Sequence, residues 1–500
     1  MRLRTPISLA IFALFLSGCA LQPTYQRPDS PVATSYPQGA TYPAKAGSGP
    51  VSPAAAGIAW RDNFRDPRLQ RLVELALQNN RDLRVAILNI EKVKAQYQIQ
   101  RASLFPQVNI ASSGGGKNPG ATGAAGGNAG TSHSYAADLS VSWEADFFGH
   151  LHNLSDAAFE QYIASSYARK ATEILLVSQV VDQYLAVLAY GEQRDVTQQL
   201  LQTAQASYKL AKLQFDVGTL SELDLRLSQT AVEQAQANYA AQTRLQAQAG
   251  NALVLLVGQP LPADLPAPAK LRDQSILADI PPGLPSDLLE NRPDILQAEA
   301  ILRSENANIG AARAAFFPQI ALTGSLGTAS SSLGGLFAAG SGAWSFLPAL
   351  LAPIFDAGAN RANLDVAKVQ KDIGIAQYQK AVQTAFREVS DGLAARATYD
   401  EQLAAQQRYT NAQARRLELE NMLYAAGSDS YLNVLLAQND LYNAQQSLIT
   451  TQLNRLTSLA DLYRSLGGGW KADAAPVRQN TTGSTVATEG MLEMPSRTGS

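Results

Sequence analysis

No proline occurs between Pro119 and Pro260, and none between Pro353 and Pro476. Proline removes a helical hydrogen bond and clashes with the preceding turn, so these two intervals leave room for helices far longer than the globular mean. Within the first interval, Leu151 to Asp216 holds Gly191 as its only glycine and is rich in Ala, Gln, Leu and Glu. A helix of about 65 residues would run about 100 Å at 1.5 Å per residue. Phe215-Asp216-Val217-Gly218-Thr219-Leu220-Ser221 breaks it, with Gly218 as the expected C-cap. Ser221-Glu222-Leu223-Asp224 then reads as an N-cap with acidic residues in the first turn of a return helix reaching about Leu256. The spacing therefore predicts a long antiparallel helical hairpin with a tight tip. Ile174, Leu175, Val177, Val180, Val181, Leu185 and Leu188 cover more than one narrow stripe, as a helix contacted on two sides requires.

The plan occurs twice. A second long helix is expected from about Ala359 to Leu423, ending at Tyr424-Ala425-Ala426-Gly427. Phe215/Tyr424, Gly218/Gly427, Leu225/Val434 and Gln229/Gln438 share an offset of about 209 residues. Upstream, Asp82/Asp294 and Pro106/Pro318 share an offset of about 212. Chance readily explains one such match, but not the same order at several separated motifs.

Each repeat also carries a pair of strands. From Tyr135 to Phe148 one face reads Tyr135, Ala137, Leu139, Val141, Trp143, Ala145 and Phe147. The other reads Ala136, Asp138, Ser140, Ser142, Glu144 and Asp146, a period of two that predicts a strand with one apolar and one wet face. Leu104, Pro106, Val108 and Ile110 alternate with Gln107 and Asn109 in a preceding strand, and Ser112 to Ser134 reads as a flexible loop between them. In the second repeat Phe316, Ile320 and Leu322 alternate with Gln319, Thr323 and Ser325, and Trp344 to Phe355 forms the partner. Helices open each repeat: one begins at Asp66-Pro67, the next runs from about Asp82 to Arg101, and Pro260 to Pro285 is an irregular connector.

Arg2 and Arg4, the apolar run Ile7 to Leu16, and Leu16-Ser17-Gly18-Cys19 resemble a bacterial lipobox, which implies cleavage before Cys19 and its acylation. Cys19 is the only cysteine, so no internal disulfide forms, and Ala20 in place of an Asp implies the outer membrane. Beyond this leader no stretch of about 20 apolar residues is expected to cross a membrane as a helix. A formal net charge of −2 leaves no electrostatic footprint for nucleic acid.

No enzyme signature stands out. The histidines are His133, His150 and His152; His150 and His152 would share one strand face, but no third ligand is identifiable, so no metal or other cofactor is expected. Gly114-Gly115-Gly116-Lys117 lacks the spacing of a phosphate-binding loop.

Four membrane strands cannot close, and an open edge in lipid leaves unpaired backbone groups. The barrel must be shared between copies; three copies give twelve strands and more lumen than eight. Asp138, Ser140, Glu144, Asp146, Gln107 and Asn109 are expected to face that lumen.

The whole chain beyond the leader resembles the TolC-like outer-membrane factors, in the lipoprotein branch serving resistance–nodulation–division efflux pumps. The resemblance rests on Leu16 to Cys19, Pro23-Thr24-Tyr25-Gln26-Arg27-Pro28, Trp60 with Asp66-Pro67-Arg68-Leu69, Arg292-Pro293-Asp294-Ile295, the two Phe-Pro-Gln turns and the tips at Gly218 and Gly427. It implies a mixed α and β membrane protein: a homotrimeric twelve-stranded transmembrane β-barrel, four strands per chain, continuous with a long periplasmic α-helical barrel. The implied partners are a periplasmic adaptor, an inner-membrane pump and outer-membrane lipids. By the same resemblance Val217, Gly218, Ser221 and Leu223, with Ala426, Gly427, Ser428 and Tyr431, would touch the adaptor. The family's Tyr-Leu-x-x-Leu-Asp-Ala-Gln constriction motif appears here as Tyr431-Leu432-Asn433-Val434-Leu435-Leu436-Ala437-Gln438, with Leu436 in the Asp position. Leu432 and Leu436 would bar ions by dewetting, with Asn433 beside them and Asp440 or Asp429 supplying nearby charge.

The expected organisation is a signal peptide (1–18), an acylated extended arm (19–60), a first repeat (61–257, strands about 103–148), a connector (258–284), a second repeat (285–470, strands about 316–356) and a disordered tail (471–500). The expected function is a passive, gated exit duct for drugs and other small molecules in a tripartite pump. A type I protein-secretion duct and a lipid-anchored spacer or stalk without a lumen are the alternatives.

Overall fold

The computed structural model describes residues 21–39, 41–42, 57–117, 131–277, 280, 283 and 285–471. The signal peptide, Cys19, the centre of the first strand loop and the tail beyond 471 lie outside them. In the first repeat, α1 (Trp60–Asn63), α2 (Pro67–Asn79) and α3 (Arg81–Ala102) lead into β1 (Gln107–Lys117) and β2 (Ser132–Ala145). The long α4 (His150–Asp216) and its return helix α5 (Glu222–Val257) follow. After a connector with 3₁₀ turns, α6 (Leu288–Asn291) and α7 (Pro293–Ala314) lead into β3 (Gln319–Ser330) and β4 (Gly342–Leu351). Then come α8 (Ala359–Ala425) and α9 (Tyr431–Ser465). Both long helices have 67 residues.

The helices form a wall of four columns. Asn80 Nδ2 donates to the carbonyl of Leu256 at 2.9 Å, so α5 ends where α3 begins. Arg292 Nη1 donates to the carbonyl of Ser465 at 3.1 Å and joins α9 to α7 in the same way. On the strand side α3 packs on α4, α4 on α7 and α7 on α8; on the tip side α5 packs on α4, α4 on α9 and α9 on α8. The column order is therefore α3/α5, α4, α7/α9, α8.

The four strands make one antiparallel sheet in the order β1-β2-β3-β4. Its edges match those of the wall, because α3 runs into β1 and α8 leaves from β4.

The main core sits where the columns meet. Val180, Val181, Tyr184 and Leu185 of α4 are buried against Leu72 and Val73 of α2, Ile295 and Leu302 of α7, and Val389 of α8. Burying each such side chain contributes about 1.5–3 kcal/mol. Asp66 is fastened there: Oδ1 accepts the backbone N–H groups of Arg68 and Leu69, capping α2. Its Oδ2 accepts from Tyr184 Oη at 2.9 Å and Gln274 Nε2 at 2.7 Å.

Three expectations are corrected. Both strands reach into the stretch read as a loop, since β1 continues to Lys117 and β2 starts at Ser132. The glycines there pair regularly because Tyr135 lies opposite Gly114 and its ring occupies the space a Cβ would take. β4 ends at Leu351, not Phe355, with Pro353 just beyond it. Finally, α4 is apolar and long enough to cross a membrane by composition, contrary to the expectation that no such stretch follows the leader, but half of that window is buried inside the protein.

Residues 21–39 of the N-terminal arm form no helix or strand and lie along α7. Arg313 Nη1 donates to the carbonyl of Leu21, Asn306 Nδ2 to that of Pro23, and Arg27 grips Glu299 with bonds of 3.1 and 2.8 Å. Tyr36 stacks on Phe386 of α8 with ring centroids 5.4 Å apart.

Candidate functional site

Register assigns every strand residue to a face, because directly paired residues share one. Ile110, Leu139, Leu326 and Trp344 form one row across all four strands. Val108, Val141, Gly324 and Phe346 form the next row on that face, followed by Trp143, Leu322 and Pro348. Exposure on this face is greatest on the edge strands, Ile110 at 86% and Trp344 at 78%, and lower on β2, Leu139 at 43% and Trp143 at 37%. The opposite face is mostly polar, with Leu347 and Leu351 of β4 as its exposed apolar members. Asn109, Ser140, Ser325 and Ser345 form a row in which the last two hydroxyls lie 2.8 Å apart. Asp138 sits on this face between Ala111 and Gly327, and Glu144 opposite Ala321. A Cβ on Gly327 would come within 2.2 Å of the Ala137 carbonyl, so only glycine fits beside Asp138.

Asp146, which the alternation puts on the polar face, instead turns to His152. It follows the end of β2, its side chain is 6% exposed, and Oδ2 accepts the backbone N–H of His152 while lying 2.8 Å from the imidazole Nδ1. His150 and His152 open α4 and are not on a strand; His150 Nδ1 lies 3.1 Å from the carbonyl of Ala311. At this end of the sheet Trp143 Nε1 donates to the carbonyl of Leu104, and Phe148 stacks on Phe317 with centroids 4.7 Å apart.

The two tips have the same geometry. Val217, Gly218 and Thr219 donate their N–H groups to the carbonyls of Leu213, Phe215 and Gln214. Ala426, Gly427 and Ser428 donate to Met422, Tyr424 and Leu423. Gly218 and Gly427 sit at φ +76° and +72°, the left-handed conformation that closes a helix end. Ser221 Oγ caps α5 by accepting from Asp224 N–H at 3.1 Å. Val217 and Leu223 are exposed at the first tip, and Tyr431 packs on Tyr424 at the second, centroids 5.4 Å apart.

Leu432 and Leu436 are half exposed and open onto a groove of about 230 Å³ between α9 and the first hairpin, lined also by Leu200 and Ala204 of α4 and Leu227 and Ala231 of α5. The two neighbouring acids differ: Asp440 is paired with an arginine, whereas Asp429 is bonded to neutral donors and keeps its charge. Asp440 Oδ2 accepts from Arg416 Nη1 at 2.7 Å. Asp429 Oδ1 accepts from the Ser430 backbone N–H and from Asn433 Nδ2, both at 2.6 Å, which holds its carboxyl below the usual range. Sequence reading missed Arg416: its partner lies 24 residues away across the tip.

The family model described as "Outer membrane efflux protein" matches residues 72–259 and 284–468. The chain belongs to that family. It is 46% identical over 477 residues to the toluene efflux pump outer membrane protein TtgC of Pseudomonas putida, covering 95% of this chain and 98% of that protein. The outer membrane protein OprJ of Pseudomonas aeruginosa is 41% identical over 465 residues, 93% of this chain and 96% of that one. Among solved structures, the open state of the Neisseria gonorrhoeae MtrE outer membrane channel superposes with a TM-score of 0.81 at 38% identity, covering 92% of this chain and all of that one. This efflux channel family is the TolC-like outer-membrane kind that the motifs implied. The four-strand sheet is the membrane part of the channel protein and the helical wall its periplasmic part.

Proposed function

We propose that three copies close into one duct, with β4 of each copy pairing with β1 of the next to give twelve strands. The observation that carries this is a sheet with two unpaired edges, β1 and β4, that is apolar on one face and mostly polar on the other in continuous register. Lipid requires every backbone group to be paired, so the edges need partners, and the faces fit lipid outside and water inside. The helical wall shares the same edges, so it continues the duct through the periplasm.

The duct is passive and carries small molecules outward. The names of relatives speak of toluene, solvents and antibiotics, and compounds of that kind are the cargo proposed here. A periplasmic adaptor docks on the tips through Val217, Gly218, Ser221, Leu223, Ala426, Gly427, Ser428 and Tyr431, and an inner-membrane pump supplies the energy. Acylation at Cys19 anchors each copy. In support, Arg313 in the last turn of α7 holds Leu21 beside the start of β3, so the arm begins at the membrane end of the wall.

Leu432, Asn433 and Leu436 form the constriction, with Asp440 neutralised by Arg416. Single-channel conductance of the purified trimer tests the duct and its gate together. Rare small openings that widen in Leu436→Ser, and cation preference that appears in Leu436→Asp, are expected. Steady conduction indifferent to both changes removes the gate and keeps the duct; no current from any variant returns the spacer reading.

A further inference from the structure

A groove of about 310 Å³ lies between α4, α5 and the connector that follows α5. Its floor is apolar, made by Val187 and Leu188 of α4, Leu253 of α5 and Leu261 of the connector. Gly191, the only glycine of α4, and Gly250, the only glycine of α5, both border it. Glycine weakens a helix interior, so two of them at one groove mark room kept clear of side chains. A Cβ on Gly250 would meet nothing within 4 Å, and one on Gly191 only the Gln246 side chain. At the rim stand Arg68, Arg194 and Lys270 with Glu192 and Asp195. Arg194 is paired with Asp195, and Glu192 Oε1 accepts the Leu271 N–H at 2.9 Å. Arg68 Nη1 donates to the Pro266 carbonyl, a neutral partner, and Lys270 is exposed, so the rim keeps a positive excess.

The described chain ends nearby. Trp470 lies against Lys170 of α4, whose Nζ is 4.6 Å from the ring centroid, and Trp470 Nε1 donates to the carbonyl of Asn291. Lys170 and Leu188 are eighteen residues apart on α4, five whole turns, so the chain end and the groove share one face of that helix about 27 Å apart. Residues 472–500 follow, and their one run of large apolar side chains is Met491-Leu492-Glu493-Met494, preceded by Glu489-Gly490. Twenty residues separate Lys471 from Met491. A polar chain of that length averages about 25 Å end to end and reaches at most about 70 Å. We infer that Glu489 to Met494 docks in the groove of its own copy and straps the connector to the helical hairpin. Met491, Leu492 and Met494 cover the apolar floor, where unbranched thioethers suit an irregular surface. Glu489 and Glu493 face Arg68 and Lys270. The short tether holds the segment at high effective concentration, so weak contacts suffice. The strap adds to the bonds from Arg68 to Pro266 and from Leu271 to Glu192 that fasten this part of the connector.

Cysteine cross-linking in the full-length, detergent-extracted protein tests the strap. Under mild oxidation, Lys270→Cys with Glu493→Cys is expected to close a disulfide within one chain about tenfold faster than Lys270→Cys with Thr482→Cys. Leu492→Lys in the first pair should lower its rate to that of the second. Gly250→Leu fills the groove with a better helix former, so it should abolish the fast reaction and leave the circular dichroism unchanged. Equal rates from the two pairs overturn the strap, because an undocked tail brings either cysteine to the groove. Covalent dimers put the tail on a neighbouring copy and overturn it as well. A fast reaction that persists in Gly250→Leu overturns the groove as its seat.

Discussion

Asn80 bonds at both ends of its side chain: Nδ2 donates to Leu256 O at 2.9 Å, and Oδ1 accepts the Leu83 N–H at 3.0 Å. One residue thus ends one helix of the outer column and starts the other. Gly258 completes the junction at φ +78°, where a Cβ would sit 2.5 Å from the Asn79 carbonyl. Gly258→Ala should lower stability by about 2 kcal/mol or more through strain and overlap. Gly218→Ala at the open tip shares the positive φ but meets nothing, and should cost about 1 kcal/mol. Thermal melts of the two variants side by side check the difference.

Asp66 is buried and accepts four hydrogen bonds from three elements. Asp66→Ala strands the Tyr184 hydroxyl and uncaps α2, for a loss of about 3 kcal/mol. Denaturant unfolding followed by circular dichroism is the measurement. A midpoint unchanged from wild type would remove Asp66 from the core's supports.

Asp182 faces Asp461 and Arg464 from α4, and burial, aided by Asp461, pushes its carboxyl up to about 7. The folded protein then holds this proton more tightly than the unfolded chain, whose carboxyl titrates near 4. Stability from this site is greatest below that value and is lost as pH rises toward 7. Asp182→Asn should flatten the melting temperature between pH 5 and 8 and exceed wild type at pH 8. An unchanged slope in the variant would assign the dependence to another group.

Glu299 goes the other way. Burial alone would raise its carboxyl, but hydrogen bonds from Arg27 and Arg303 hold it below the usual range. Its contribution is present above the unfolded value near 4.3 and is lost as pH falls through the lower folded value. Arg27→Ala should free the arm, seen as faster protease cleavage between residues 21 and 39, with the helical wall intact by circular dichroism. Cleavage at the wild-type rate would mean that the other arm contacts suffice.

Much of this was legible in the residues. Two proline-free intervals gave the long helices, matched tips gave the repeat, and the alternation around Trp143 gave the sheet's two faces. What could not be read was whatever depends on distant partners or on missing side chains. Gly114 to Gly116 carry no alternation, so nothing in them marks a strand; the ring of Tyr135 across from Gly114 supplies what they lack. Asp146 kept the alternation in sequence, but the chain turns at Ala145 and sends its carboxylate to His152 instead. Nothing in Pro23 to Pro28 shows that Arg27 seeks Glu299, about 270 residues on. Asp440 looked like free charge for the same reason.

Ala145 of β2 pairs with Ile320 of β3, although a helical hairpin, a connector and α7 lie between them in the chain. During synthesis the first repeat therefore offers only a two-stranded ribbon, too small to be stable by itself. The lipid-compatible surface comes into being late, after the second repeat has emerged and the non-local pairing has been made. A chain that has completed only its first repeat therefore lacks the four-stranded wall, and the membrane face of each copy depends on a pairing between its two repeats.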